Sequence, residues 1–217
     1  MVGRAAGAVV FDMDGVLFDS EPLHLETLNA VLRDDGITVS EDENLRLLGL
    51  PVEDVLRKLL SRRGRSGSVA GHMERYDTAI VQVFQEKLTA SPGVADLLDG
   101  LRSRAVPLAL ASSSKPRWIE AGLEATGLRS YFDAVVSGYD VARHKPEPDI
   151  YLVAAARLKV EASRSIAVED SPAGIRAARS AGMRVYAIRT GSTQGLRLEE
   201  ADRVVDSIGL LEIGDFV

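Results

Sequence analysis

The sequence predicts an α/β protein: a parallel sheet covered by helices, with an all-helical block inserted after the first strand. Three observations carry this reading. The apolar run Ala8-Val9-Val10-Phe11 ends abruptly in Asp12-Met13-Asp14-Gly15, which reads as a buried strand closed by a tight Asp-Gly turn. From residue 92 onward, short apolar strands alternate with amphipathic helices, the pattern of a parallel sheet with helices on both faces. Between these stretches, from about residue 18 to 90, only helical periodicity is present.

The helical block contains three apolar stripes. Leu25, Leu28, Val31 and Leu32 form the first. Val52, Val55, Leu56, Leu59 and Leu60 form the second, with Pro51 at the first helical position. Met73, Tyr76, Ile80, Val83, Phe84 and Leu88 form the third. These stripes read as the core of a small bundle. Gly64-Arg65-Ser66-Gly67-Ser68 reads as a loop between its helices. Beyond the block, Ser91-Pro92 is expected to start a helix running to Arg104. Pro107 to Ala111 is expected as a strand, and Lys115 to Gly127 as a helix with Gly127 as C-cap. A strand over Ala134 to Ser137 and a helix over Asp149 to Lys159 follow. Next come a strand over Ser165 to Val168 and a helix from Ser171-Pro172 to about Gly182. Val185 to Ile188 and Arg203 to Val205 are the last strands. The expected domains are a Rossmann-like catalytic core, residues 1–17 and 90–217, and an α-helical cap domain, residues 18–89.

Composition narrows the classes. A chain of 217 residues with 46% hydrophobic residues suits a globular protein with a real core. The net charge of -6 argues against nucleic acid and anionic membranes as partners. It leaves room for an anionic substrate at a locally positive site. With no cysteine, disulfides, thiolate catalysis and cysteine-held metals are excluded. His24, His72 and His144 lack metal-ligand spacing. No apolar run approaches the ~20 residues of a membrane span. Met1-Val2-Gly3-Arg4 is not followed by a long apolar segment before a cleavage site, so no signal peptide is expected. The expectation is a cytoplasmic monomer.

Parallel sheets bind ligands at the carboxyl ends of their strands. The polar residues expected there are Asp12 and Asp14, Ser112-Ser113-Ser114-Lys115, His144-Lys145-Pro146-Glu147-Pro148-Asp149, and Glu169-Asp170-Ser171. Taken one at a time, each has an ordinary structural explanation, as an N-cap, a solvated loop or a helix start. Together they place four carboxylates, a hydroxyl cluster and a lysine at one end of one sheet. Converging carboxylates call for a divalent cation, and oxygen ligands suit Mg²⁺. Hydroxyls and helix N-termini bind anions. The combination points to phosphoryl transfer through an acyl phosphate. The GxxxxGK[ST] loop is absent, which excludes a P-loop nucleotide hydrolase.

In these four motifs the chain resembles the haloacid dehalogenase superfamily, in the branch with a helical cap after the first strand. They are Asp12-Met13-Asp14-Gly15, Ser112, Lys145 in Lys-Pro-Glu-Pro-Asp, and Glu169-Asp170. The run Phe18-Asp19-Ser20-Glu21-Pro22-Leu23-His24 is similar to the β-phosphoglucomutase-like subgroup. The resemblance implies that Asp12 is the nucleophile and that Asp14 is the general acid and base. It implies a Mg²⁺ ion held by Asp12, the Asp14 carbonyl, Asp170, and Glu169 directly or through water. Ser112, Ser113 and Lys145 would bind the transferring phosphoryl group, Lys145 also acting in catalysis. Ser114, Lys115, Glu21 and His24 would contact the substrate.

The reaction expected is hydrolysis of a small phosphorylated metabolite, a sugar or polyol phosphate. The alternative is a sugar-phosphate mutase. Mutases of this kind grip the second phosphate through an arginine in a Gly-x-x-Arg context. Here the stretch is Gly49-Leu50-Pro51-Val52, and Lys115 precedes Pro116 where mutases tend to have asparagine. Arg46 and Arg57 read as solvated helix charges. Asp14 argues against dehalogenation, which needs no second acid. Lys58 and Lys87, the only cap lysines, lack the setting of a Schiff-base lysine for phosphonate hydrolysis. A non-catalytic binding or regulatory member of the fold is the reading from another class, and the intact set of acids and lysine argues against it.

Overall fold

A computed structural model describes residues 6–216, except 49, 63, 65–68, 191, 192 and 194. Residues 65–68 of the expected loop and Gly49 of the Gly-x-x-Arg comparison therefore lie outside the described residues. The chain divides into two compact units, Met1–Asp19 with Thr89–Val217, and Ser20–Leu88. The helical unit thus starts at Ser20 rather than at residue 18, and ends at Leu88 rather than at 89. Contacts at the boundary agree with this division. Phe18 bridges back to Asp14, and the Leu17 carbonyl accepts from the Ser91 amide, so both residues belong to the sheet unit.

The sheet unit has six parallel strands: β1 (Ala8–Phe11), β2 (Leu108–Ser112), β3 (Ala134–Ser137), β4 (Ser165–Glu169), β5 (Arg184–Ile188) and β6 (Arg203–Val205). Their order is β3-β2-β1-β4-β5-β6, a Rossmann-like arrangement whose direction reverses between β1 and β4. Registers such as Val9 opposite both Leu108 and Ile166 bring the carboxyl ends of the central strands to one level. Strand alternation sorts the side chains. Val10, Ala109, Ala111, Ala167, Val185 and Ala187 lie in one buried cluster with residues of α7 (Asp149–Arg157) and α8 (Pro172–Ser180). Alanine on that face lets both helices approach closely. The alternate residues Val9, Phe11, Leu108, Leu110, Ile166 and Val168 are also fully buried, as a sheet covered on both sides requires.

The remaining helices of this unit are α5 (Val94–Ser103) and α6 (Pro116–Ala125). The first begins three residues after the expected Ser91. Gly93 stands at φ +87°, outside the helical region, and a Cβ there would lie 2.6 Å from the Gly209 Cα. Gly127 ends α6 one residue past the cap Thr126, at φ +71°, the usual left-handed stop. Ser171 caps α8 by accepting from the Gly174 amide, as expected.

The helical unit contains α1 (Glu21–Leu32), α2 (Glu41–Leu45), α3 (Val52–Ser61) and α4 (Val69–Lys87). The stretch is not helical throughout, because Gly36 at φ +66° turns the chain into an extended segment before Ser40. The expected stripes are its core: Leu28, Val31 and Leu32 of α1, Val55, Leu56, Leu59 and Leu60 of α3, and Met73, Tyr76, Ile80 and Phe84 of α4 are buried. Pro51 is the cap before α3 rather than its first residue. Among the described residues, no helix is long and apolar enough to cross a membrane.

Candidate active site

The carboxyl end of β1 is where the acids converge. The Asp12 amide donates to the Val168 carbonyl at 2.9 Å, which extends the β1–β4 ladder by one residue and sets Asp12 beside Glu169 and Asp170. One carboxylate oxygen from each of these three lies within 4.8 Å of the others. Gly15 makes the approach possible. A Cβ there would lie 2.0 Å from Asp170 Oδ2, and Gly15 stands at φ +80°, a conformation that disfavours a side chain in any case.

Lys145 is the cation of the cluster. Its side chain is 8% exposed. Its ammonium donates to Asp12 Oδ1 at 2.5 Å, Glu169 Oε1 at 2.7 Å and the Ala111 carbonyl at 3.1 Å. Burial by itself would lower its pKa, but Asp12 and Glu169 hold it well above the ordinary lysine value.

Glu169 is fully buried. Its Oε1 also accepts from the Tyr151 hydroxyl at 2.8 Å. Its Oε2 accepts from the Asp170 amide, the Ser171 amide and Ser171 Oγ, at 2.9, 3.0 and 3.0 Å. Burial pushes the carboxyl up, and these donors, led by Lys145, outweigh it and leave the pKa below the usual value. Asp12 and Asp170 shift the other way. Burial raises the Asp12 carboxyl to about 7, against the pull of Lys145, with Glu169 and Asp14 adding repulsion. Burial and the negative charges of Glu169 and Asp12 hold Asp170 well above its ordinary value. A cluster so charged favours protons or a bound cation.

Asp14 is half-buried, and its Oδ2 accepts from Ser114 Oγ at 3.0 Å. Ser112, at the end of β2, is buried and accepts from the Ser114 amide at 3.1 Å. Ser113 is exposed and lies against Gly138. Lys115 places its ammonium 5.4 Å from the centre of the Trp118 ring. Glu21 and His24 belong to the helical unit. Glu21 opens α1, and His24 Nδ1 is 2.6 Å from the Tyr76 hydroxyl, with its ring stacked on Tyr76.

The structure thus brings together Asp12, Lys145, Glu169 and Asp170 from segments far apart in the sequence. It adds groups the sequence reading did not single out: Tyr151, the Ala111 carbonyl, and Gly174, where a Cβ would lie 1.6 Å from Glu169 Oε1. The only sequence trace of Tyr151 is its place six residues after Lys145, in the first turn of the following helix.

The family model for haloacid dehalogenase-like hydrolases matches residues 9–188. The chain belongs to this family. It is 37% identical over 198 residues to the phosphorylated carbohydrates phosphatase of Thermotoga maritima, covering 91% of this chain and 92% of that protein. It is 34% identical over 208 residues to the β-phosphoglucomutase of Bacillus subtilis, covering 91% and 88%. The crystal structure of CbbY from Rhodobacter sphaeroides in complex with phosphate superposes with a TM-score of 0.84 at 29% identity, over 95% of this chain and 96% of that one.

Proposed function

We propose that this hydrolase is a Mg²⁺-dependent phosphatase of small phosphorylated metabolites, sugar or polyol phosphates, acting through an aspartyl phosphate on Asp12. The observation that carries the reading is the Asp12 carboxylate, buried at the end of β1 between the Lys145 ammonium and the carboxylates of Glu169 and Asp170. The 37% identity to a protein named for phosphorylated carbohydrates supports the substrate class.

The donor set fits Mg²⁺, since every candidate ligand atom is a hard oxygen. Asp12, Asp170 and the Asp14 carbonyl would hold the ion. Glu169, with five donors on a carboxylate that has about four lone-pair sites, would reach it through water. The bound ion would supply positive charge against the attacking carboxylate and the transferring phosphoryl oxygens.

The residues of the chain perform the steps. An Asp12 oxygen attacks phosphorus, and the bond to the leaving oxygen breaks as Asp14 delivers a proton to it. Lys145 opposes the rise that burial gives the Asp12 pKa, favouring its ionised form, and offsets charge on the transferring group. Ser112, whose Oγ is oriented by the Ser114 amide, donates to a phosphoryl oxygen. Asp14 then takes a proton from water as that water attacks the acyl phosphate, which releases inorganic phosphate and restores Asp12. An acid–base residue of this kind contributes ~10²–10⁴-fold.

Relatives named as mutases make mutase chemistry the reading to exclude. A mutase must grip the second phosphate of its bisphosphate intermediate. Val52, the first residue of α3, carries no charge. Arg57 is exposed and paired with Glu53 and Asp54, and Arg46 Nε donates to the Asp42 carbonyl. With β-glucose 1-phosphate and a catalytic amount of bisphosphate, free phosphate should accumulate ahead of glucose 6-phosphate. The opposite order would overturn the phosphatase assignment. A panel of sugar and polyol phosphates, run with Mg²⁺ and with excess chelator, identifies the substrate and tests the metal. Asp12→Asn should remove nearly all turnover from a folded protein, and substantial residual turnover would place the nucleophile elsewhere.

A further inference from the structure

Tyr151 has no part in the chemistry just described, yet it is completely buried and touches Glu169 and Lys145 of the acid cluster. It is the third residue of α7, the helix that starts directly after the Lys145 loop. Two of its features point at one cation. Its ring centre lies 5.1 Å from Lys145 Nζ, within the range of a cation–π contact. Its hydroxyl donates at 2.8 Å to Glu169 Oε1, the same oxygen that receives Lys145 at 2.7 Å.

Lys145 has three ammonium hydrogens and three acceptors: Asp12 Oδ1, Glu169 Oε1 and the Ala111 carbonyl. The lysine is therefore shared between the nucleophile and a structural carboxylate. How the ammonium divides between them depends on how much negative charge Glu169 Oε1 retains. The Tyr151 hydroxyl offsets part of that charge. Without it, Lys145 would be the only donor to Oε1 among the described residues and would be drawn toward Glu169, away from Asp12.

We propose that Tyr151 is a positioning residue that sets how Lys145 is shared between Asp12 and Glu169, and so holds the ammonium at the reacting oxygens. The inference rests on the phosphatase reading for its kinetic consequence but not for its structural one.

Tyr151→Phe removes the hydroxyl and keeps the ring. In the full-length protein with Mg²⁺ and p-nitrophenyl phosphate, kcat should fall about tenfold, the scale of one hydrogen bond to a charged group, with KM within about twofold and the melting temperature little changed. The second readout needs no activity. The slowly exchanging ¹⁵N ammonium resonance of Lys145, assigned by its loss in Lys145→Met, should move in Tyr151→Phe. In the wild type, the Lys145 ε-methylene protons should show an upfield ring-current shift, a measurement that does not depend on the variant folding. A kcat within twofold of wild type, an unmoved ammonium resonance, or unshifted ε-protons would each overturn the proposal. A wild-type enzyme without phosphatase turnover would instead defeat the functional reading, and the resonances alone would then decide the role of Tyr151.

Discussion

Replacing Gly174 by alanine tests the architecture of the acid cluster without replacing any residue assigned to the reaction. Gly174 lies in the first turn of α8, and a Cβ there would sit 1.6 Å from Glu169 Oε1 and 1.9 Å from its Cδ. The carboxylate cannot swing aside freely, because five hydrogen bonds fix it in a fully buried place. Alanine gains up to about 1 kcal/mol in helix propensity. Against this, moving the carboxylate breaks at least two hydrogen bonds to a charged group, each worth about 1.5–3 kcal/mol. The net expectation is a loss of about 2–5 kcal/mol, with turnover reduced because Lys145 loses an anchor. Urea unfolding followed by the fluorescence of Trp118, the only tryptophan and a residue of the sheet unit, measures the loss. Gly71→Ala is the control. Nothing stands within 4 Å of a Cβ at that α4 position, so the same substitution should be neutral or stabilising by up to about 1 kcal/mol there. A Gly174→Ala protein as stable as wild type would show that Glu169 is not held where its hydrogen bonds place it.

Asp14→Asn should slow turnover by ~10²–10⁴-fold while leaving Mg²⁺ affinity largely intact, because only the backbone carbonyl is assigned to the metal. Loss of metal binding in calorimetry with little change in the rate at saturating Mg²⁺ would reverse that assignment. The metal-free protein should lose thermal stability as pH rises from about 5 to about 8. An acid whose folded-state pKa is raised contributes stability that is full below its unfolded value and lost as pH passes through the folded one. Burial carries Asp12 up to about 7, and Asp170 in the same direction. Glu169, held low, and Lys145, held high, do not titrate in that window. Mg²⁺ binds the ionised carboxylates, so the melting-temperature gain it gives should be larger at pH 8 than at pH 5, and an equal gain would count against a metal between Asp12 and Asp170.

The strands were legible because each is a short apolar run bounded by turn residues, and their alternation with helices implies a parallel sheet by itself. Asp12, Asp14, Lys145 and the Glu169-Asp170 pair were legible because charged groups following buried strands stand out against the apolar pattern. Tertiary structure alone decided how the environments of those groups differ. Glu169 and Asp170 are neighbours of the same charge type, yet their environments push their pKa values in opposite directions. The cause is a set of donors, from Lys145, Tyr151 and Ser171, that converge on Glu169 only after folding. Tyr151 and Gly174 carry no local signal that sets them apart in the sequence. A local pattern records periodicity and turn chemistry. It does not record which side chain meets which across separate segments, and at this site those meetings set the charge.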